Sequence, residues 1–160
     1  LEQHHADDIE LHIYGQTNAH GFKSYKGKLP SDSKAEAVRP YKYHFNSENN
    51  FKPNYITEKF YDSVLGESFT FYAGAPNIAA YYPQAADRPP AYLHLDIDAN
   101  EKYEAAAQRM VEAIAADAWQ KGLEEIRDLK DYILTRWSLA PRVLEVLKQA
   151  RVTPKCQLAH

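Results

Sequence analysis

Tyr41-Lys42-Tyr43-His44-Phe45-Asn46-Ser47-Glu48-Asn49, a five-residue gap, then Tyr55-Ile56-Thr57-Glu58-Lys59 gather amide, carboxylate and ammonium groups into one short stretch. The pattern predicts a β-strand ending in polar groups, a loop, and a helix whose first turn carries Thr57, Glu58 and Lys59. In open α/β sheets, ligands sit beyond the carboxyl ends of strands. Free N–H groups and the dipole at a helix start favour phosphate. Lys59 would add a positive charge there, and Glu58 could accept bonds from two sugar hydroxyls. The chemistry indicated is that of an anion and nucleotide site. Taken singly, Glu58 could equally serve the helix dipole, Asn49 a turn, and Tyr55 a helix start. Thr57 is expected to cap the helix or to pack, rather than to touch ligand. Glu48 either meets ligand or holds the loop through backbone N–H groups.

The surrounding elements follow from periodicity. Ile9 to Tyr14 alternates as a strand ending at Gly15, and residues 15–33 read mostly as loop. A short helix over Ser33–Val38 stops before Pro40. After the strand at 42–46, a helix over Thr57–Leu65 places Phe60 and Val64 inward, with Gly66 as its stop. A strand at Ser68–Tyr72, a short helix capped by Asn77 and a strand at Tyr92–Leu95 come next. This rhythm implies parallel pairing with right-handed crossovers. Asp98 and Glu101 form a capping box for a helix with Tyr103, Ala107, Met110, Val111 and Ile114 on one face. Leu123, Ile126, Leu129, Ile133 and Trp137 mark a second helix. Pro141 is expected to begin a third, with Val143, Leu144 and Leu147 inward. Such stripes are core packing, and no chemistry is assigned to them.

At 160 residues the chain fits one domain, or one domain with an appended helical segment. Its formal net charge of −3 gives no case for nucleic acid. Lys23, Lys26, Lys28, Lys34, Arg39, Lys42, Lys52 and Lys59 concentrate cations in residues 22–59, and those from Lys23 to Lys34 read equally well as a solvated face. The single cysteine, Cys156, forms no internal disulfide and excludes a cysteine zinc site, which favours a reducing compartment. No histidine spacing suggests a metal, and no dinucleotide or Walker fingerprint is present. No apolar run reaches the roughly 20 residues needed to span a bilayer. With Leu1 first and Met110 its only methionine, the chain is expected to be part of a longer gene product.

The motif at 41–59 resembles the donor-binding core of the α-1,3/1,4-fucosyltransferases, glycosyltransferase family 10. The family's usual form is Y-K-F-x-x-x-F-E-N-S followed by Y-V/I-T-E-K. Tyr43 stands for its Phe, Glu48 and Asn49 match E-N, and Tyr55, Thr57, Glu58 and Lys59 match the second part. Ser47 replaces a common Phe. Phe71-Tyr72-Ala73-Gly74-Ala75-Pro76-Asn77-Ile78 resembles a second family strand and turn, and Tyr82-Pro83 its F-x-P. Leu93-His94-Leu95-Asp96 stands at a third strand, and Ile13-Tyr14-Gly15 with Tyr25-Lys26-Gly27 resembles the upstream V-Y-G-R region. The resemblance covers roughly residues 9–97.

That resemblance implies an α/β Rossmann-like parallel sheet flanked by helices, one lobe of a two-lobe GT-B glycosyltransferase. Residues 1–118 would be the donor-binding domain and 119–160 a C-terminal helical extension. It implies transfer of L-fucose from GDP-fucose to a hydroxyl of a GlcNAc- or glucose-containing glycan, with inversion. Lys59 becomes the diphosphate contact and catalytic cation, Glu58 the ribose acid, and Asn49, Tyr55, Ile56, Glu48 and Gln16 donor-site residues. No cofactor or metal is expected. The general base and the glycan acceptor would belong to an N-terminal lobe, so the chain alone is expected to bind donor without efficient turnover. Gln16 departs from the family's phosphate-binding Arg; either Lys23, Lys26 or Arg39 compensates, or donor affinity is lower. A cytoplasmic or cytoplasmic-membrane-face location is favoured, with the Golgi lumen the eukaryotic alternative, and peripheral membrane association of a longer protein is compatible. Two rival readings are a non-catalytic sugar-nucleotide module and a helix-mediated interaction protein using residues 101–150.

Overall fold

A computed structural model describes residues 9–29, 34–97 and 102–149. Its centre is a three-stranded parallel sheet of β3 (Tyr43–Ser47), β4 (Phe69–Ala73) and β5 (Tyr92–His94), in that order. Tyr43 pairs with Phe69 and Ser47 with Ala73, while Thr70 pairs with Tyr92. Every residue of β4 is buried, because a central parallel strand is covered on both faces. This is the α/β parallel arrangement expected of a Rossmann-like lobe.

Alternation along the strands defines the two faces. Asn46, Thr70 and Tyr72 point toward α2 (Glu58–Leu65), which lies across that face. Phe60, fully buried, stacks on Tyr82 at 5.0 Å and meets Tyr72 and Tyr92 edge-on at 5.2 and 5.1 Å. A buried polar chain also fixes the helix: Asn46 Nδ2 donates to Ser63 Oγ at 2.8 Å, and Ser63 Oγ lies 2.7 Å from Thr70 Oγ1. Both Phe60 and Val64 are buried, as their spacing predicts. Gly66 ends α2, but with φ −78°; the left-handed residue is Glu67, φ 60°. Gly66 is required for space, since a Cβ there would collide with Val38.

Several expectations are corrected. Only Ile13–Tyr14 of the first expected strand is extended (β1), and it pairs in parallel with β2 (Tyr25–Gly27), inside the segment read as loop. Three residues are too short a run for alternation to register. The helix before Pro40 is α1 (Ala35–Val38). Asn77 does not cap α3 (Ile78–Tyr81); its side chain bonds Asn54 instead.

The Asp98–Glu101 box and Cys156 lie outside the described residues. In α4 (Tyr103–Ala115) the buried positions are Ala106 and Met110, while Tyr103 is 76% exposed. α5 (Ala118–Tyr132) buries Ile126 and Leu129 in the same core as the sheet. Trp119 Nε1 donates to the Glu67 carbonyl at 2.8 Å, and Gly122 packs against the Pro90 carbonyl. α5 thus runs past the amino ends of β4 and β5.

A π-helical turn (Ile133–Trp137) follows, and extended Ser138 restarts the chain as α6 (Leu139–Gln149). Pro141 therefore sits within the first turn rather than starting it, where its missing N–H costs no intrahelical bond. Val143 and Leu144 are exposed, not inward, while Leu147 is half-buried.

Candidate functional site

The carboxyl end of β3 and the amino end of α2 meet. The Glu48 N–H donates to the Ala73 carbonyl at 2.8 Å, which extends the β3–β4 ladder by one rung past Ser47. Strand alternation then turns the Glu48 side chain inward, beneath α2, where it is fully buried. Its Oε1 accepts the Thr57 N–H at 2.8 Å, its Oε2 accepts the Thr57 hydroxyl at 2.7 Å, and the Tyr72 hydroxyl lies 3.5 Å from Oε1. A buried charge survives only when so paired. Thr57, extended at φ −111°, caps α2, its Oγ1 accepting the Lys59 N–H at 3.5 Å.

Lys59 projects from this first turn. Its Nζ donates to Asn49 Oδ1 at 2.9 Å and lies 3.6 Å from Glu48 Oε2. Its side chain is 30% exposed, so the ammonium stands at the surface with one face toward solvent. The cap and the ammonium present partial and full positive charge at the strand ends, the arrangement that favours phosphate oxygens.

Glu58 is exposed on the outer side of the same turn. Lys34 Nζ, from the turn before α1, donates to Glu58 Oε1 at 3.1 Å and to Asp62 Oδ2 at 3.3 Å. The Lys34 bond holds the Glu58 carboxyl below its ordinary value and the carboxylates hold Lys34 above its own. Tyr55 is 38% exposed beside the helix start, while Ile56 packs against the core.

The loop between Asn49 and Tyr55 is tied to the β4–α3 turn. Asn54, at φ 69°, donates its N–H to Asn77 Oδ1 at 2.9 Å. Asn54 Oδ1 accepts from Asn77 Nδ2 and from the Tyr81 hydroxyl, both at 2.7 Å. Gly74 closes the turn from below: a Cβ there would collide with the Tyr72 ring and with Glu48 Cγ. The Ala75 N–H donates to the Tyr72 hydroxyl at 3.2 Å, and burial pushes that phenol up to about 12.

Of the residues singled out in the sequence, Glu48, Asn49, Thr57 and Lys59 form one bonded cluster, with Tyr55, Ile56 and Glu58 around it. Gln16 is exposed in the loop after β1, and none of the described contacts joins it to the cluster. Tyr14, two residues earlier, bonds Tyr41 at 2.8 Å at the amino end of β3, the far end from Glu48. Of the cations offered to compensate for it, Arg39 lines a cavity of about 500 Å³ with Tyr41, Lys42, Glu67, Trp119 and Lys130, also at the amino ends. Lys34, which does reach α2, was indistinguishable in sequence from a solvated surface lysine. Tyr72, Asn54 and Asn77 were likewise not legible as site scaffolding, since each bond depends on tertiary contact. Among the described residues no group of His, Cys, Asp or Glu is arranged to hold a metal ion.

The sequence model for the C-terminal domain of glycosyltransferase family 10 (fucosyltransferase) matches residues 2–121, ending inside α5. A fucosyltransferase-like protein of Arabidopsis thaliana is 38% identical over 103 residues, 64% of this chain and 18% of that protein's length. The chain therefore corresponds to a small part of that relative. No solved structure matches. The matched span contains both halves of the site, β3 with Glu48 and α2 with Lys59, and the chain belongs to glycosyltransferase family 10, the fucosyltransferases.

Proposed function

We propose that this domain binds GDP-fucose at the carboxyl ends of β3 and β4. In this reading it serves as the donor lobe of an inverting fucosyltransferase acting on a GlcNAc- or glucose-containing glycan. The observation that carries the reading is the Glu48–Thr57–Lys59–Asn49 cluster, which places a capped helix start and an ammonium together beyond the strand ends. Lys59 would meet the diphosphate and stabilise charge developing on the leaving group. Glu58 would accept the ribose hydroxyls, and Asn49 and Tyr55 would line the site. Glu48 is assigned to holding the helix start, because its oxygens are buried and engaged. Inversion needs a general base on the acceptor hydroxyl, and a second lobe would supply it together with the acceptor contacts. Catalysis through this lobe requires no metal or cofactor in the mechanism proposed. Location at the cytoplasm or a cytoplasmic membrane face remains part of the proposal; no helix among the described residues is long and apolar enough to cross a membrane.

Titration calorimetry with GDP tests the reading. Binding should be measurable, and Lys59→Ala should weaken it about tenfold or more, the scale of one charge-assisted hydrogen bond. No binding at millimolar nucleotide, or undiminished binding by Lys59→Ala, overturns it. The exposed Leu139, Val143, Leu144 and Val146 of α6 favour a second role, helix-mediated contact with another chain. Concentration-dependent association lost on deleting α6 and indifferent to GDP would support that role, and a monomer at all concentrations would remove it in the form of self-association.

A further inference from the structure

We infer that Lys34 is a positioning residue of the nucleotide site, holding the Glu58 carboxylate in the orientation that receives the vicinal hydroxyls of a ribose. The inference rests on the donor-binding reading of Glu58 given above. Lys34 belongs to a different element from the site and is 24 residues from Glu58, yet its ammonium bridges Glu58 and Asp62, one turn apart on α2, at 3.1 and 3.3 Å.

Folding stability is a poor explanation for this bridge. The Lys34 and Glu58 side chains are 59% and 60% exposed, and ion pairs in that setting contribute little. Its effect on order is larger. A first-turn glutamate on an open surface samples several rotamers, whereas the Lys34 bond on Oε1 selects one. An ionised carboxylate offers about four lone-pair sites, so the one bond to Lys34 leaves capacity for two hydroxyls. Ordering the acceptor in advance lowers the cost of ordering it on binding. A glutamate carboxyl is ionised, hence purely an acceptor, across the neutral range.

The experiment compares GDP with 2′,3′-dideoxy-GDP by calorimetry on the full chain. Lys34→Ala should weaken GDP binding about three- to fivefold, the scale of an exposed charge pair, and leave the dideoxy nucleotide within about twofold. Lys34→Arg should retain GDP affinity. In a Glu58→Gln background, Lys34→Ala should have no further effect. Equal GDP binding by Lys34→Ala overturns the inference. So does equal weakening of both nucleotides, which would mark a general charge effect instead. If the unmodified chain fails to bind either nucleotide, the donor-site reading falls and this inference falls with it. Unmodified binding with an indifferent Lys34→Ala removes this inference alone.

Discussion

Glu48 and Thr57 are nine residues apart and are bonded twice, through the Thr57 N–H at 2.8 Å and the Thr57 hydroxyl at 2.7 Å. One carboxylate therefore serves as floor for both the cap and the entry of α2. Glu48→Ala leaves the half-buried Thr57 N–H and hydroxyl without their acceptor. It should cost about 1–3 kcal/mol of unfolding free energy in urea titration, while Glu48→Gln, able to satisfy one of the two, should cost less. Equal stability of Glu48→Ala and the unmodified chain would show that the floor is dispensable.

Gly74 leaves no room for a side chain between Tyr72 and Glu48. Gly74→Ala should destabilise by about 1–3 kcal/mol, as overpacking in a tight core does. Replacing Tyr72 by Phe in that background leaves the ring and Glu48 Cγ in the way of the new methyl and removes the acceptor of the Ala75 N–H, so it should recover none of the loss. Thermal unfolding of the single and double variants measures both.

Asn54 and Asn77 exchange two bonds across the loop and the turn. Asn54 also sits at φ 69°, where asparagine is tolerated better than most residues. Asn54→Ala should therefore be worse than Asn54→Gly, which keeps the backbone conformation and loses only side-chain bonds. A double-mutant cycle with Asn77→Ala should return a coupling of about 0.5–3 kcal/mol; additivity within error would mean the two residues act separately.

Burial lowers the His44 imidazole from its ordinary 6.5, with Asp62 pulling the other way. The folded chain then resists protonation that the unfolded chain accepts. The unfolded state binds more protons just below 6.5, so stability falls as the solution is acidified through that window and levels off above it. Denaturation midpoints measured from pH 7.5 downward should decline less steeply for His44→Gln than for the unmodified chain. Parallel slopes would refute the assignment.

How far the sequence could be read differs between elements for physical reasons. α2 was legible almost to the residue, because Thr57, the Phe60–Val64 spacing and Gly66 are local signals that agree. The strands β3, β4 and β5 were legible in place and direction, since buried parallel strands need short apolar runs and crossovers. β2 was not, because three residues carry no period. α6 misled, since its apolar stripe is real but unburied. At the site, Lys59 and Asn49 could be singled out from the motif, whereas their bond to each other and the inward turn of Glu48 need the fold, and Lys34 needs α1 against α2. Residue type marks chemistry; register decides which oxygen faces inward.

The Glu48 N–H on the Ala73 carbonyl is the last rung of the β3–β4 ladder, and the same residue seats the helix that would receive the nucleotide. The two strands are brought together across the whole of α2, a non-local contact that a folding chain closes late relative to the helix itself. Fraying of that rung would loosen the carboxylate on which Thr57 sits. Nucleotide would bind the fully zipped chain alone and withdraw the frayed forms by mass action. Amide exchange at Glu48 and Thr57 should slow in step with added GDP, making occupancy of this domain a direct gauge of how completely its sheet has closed.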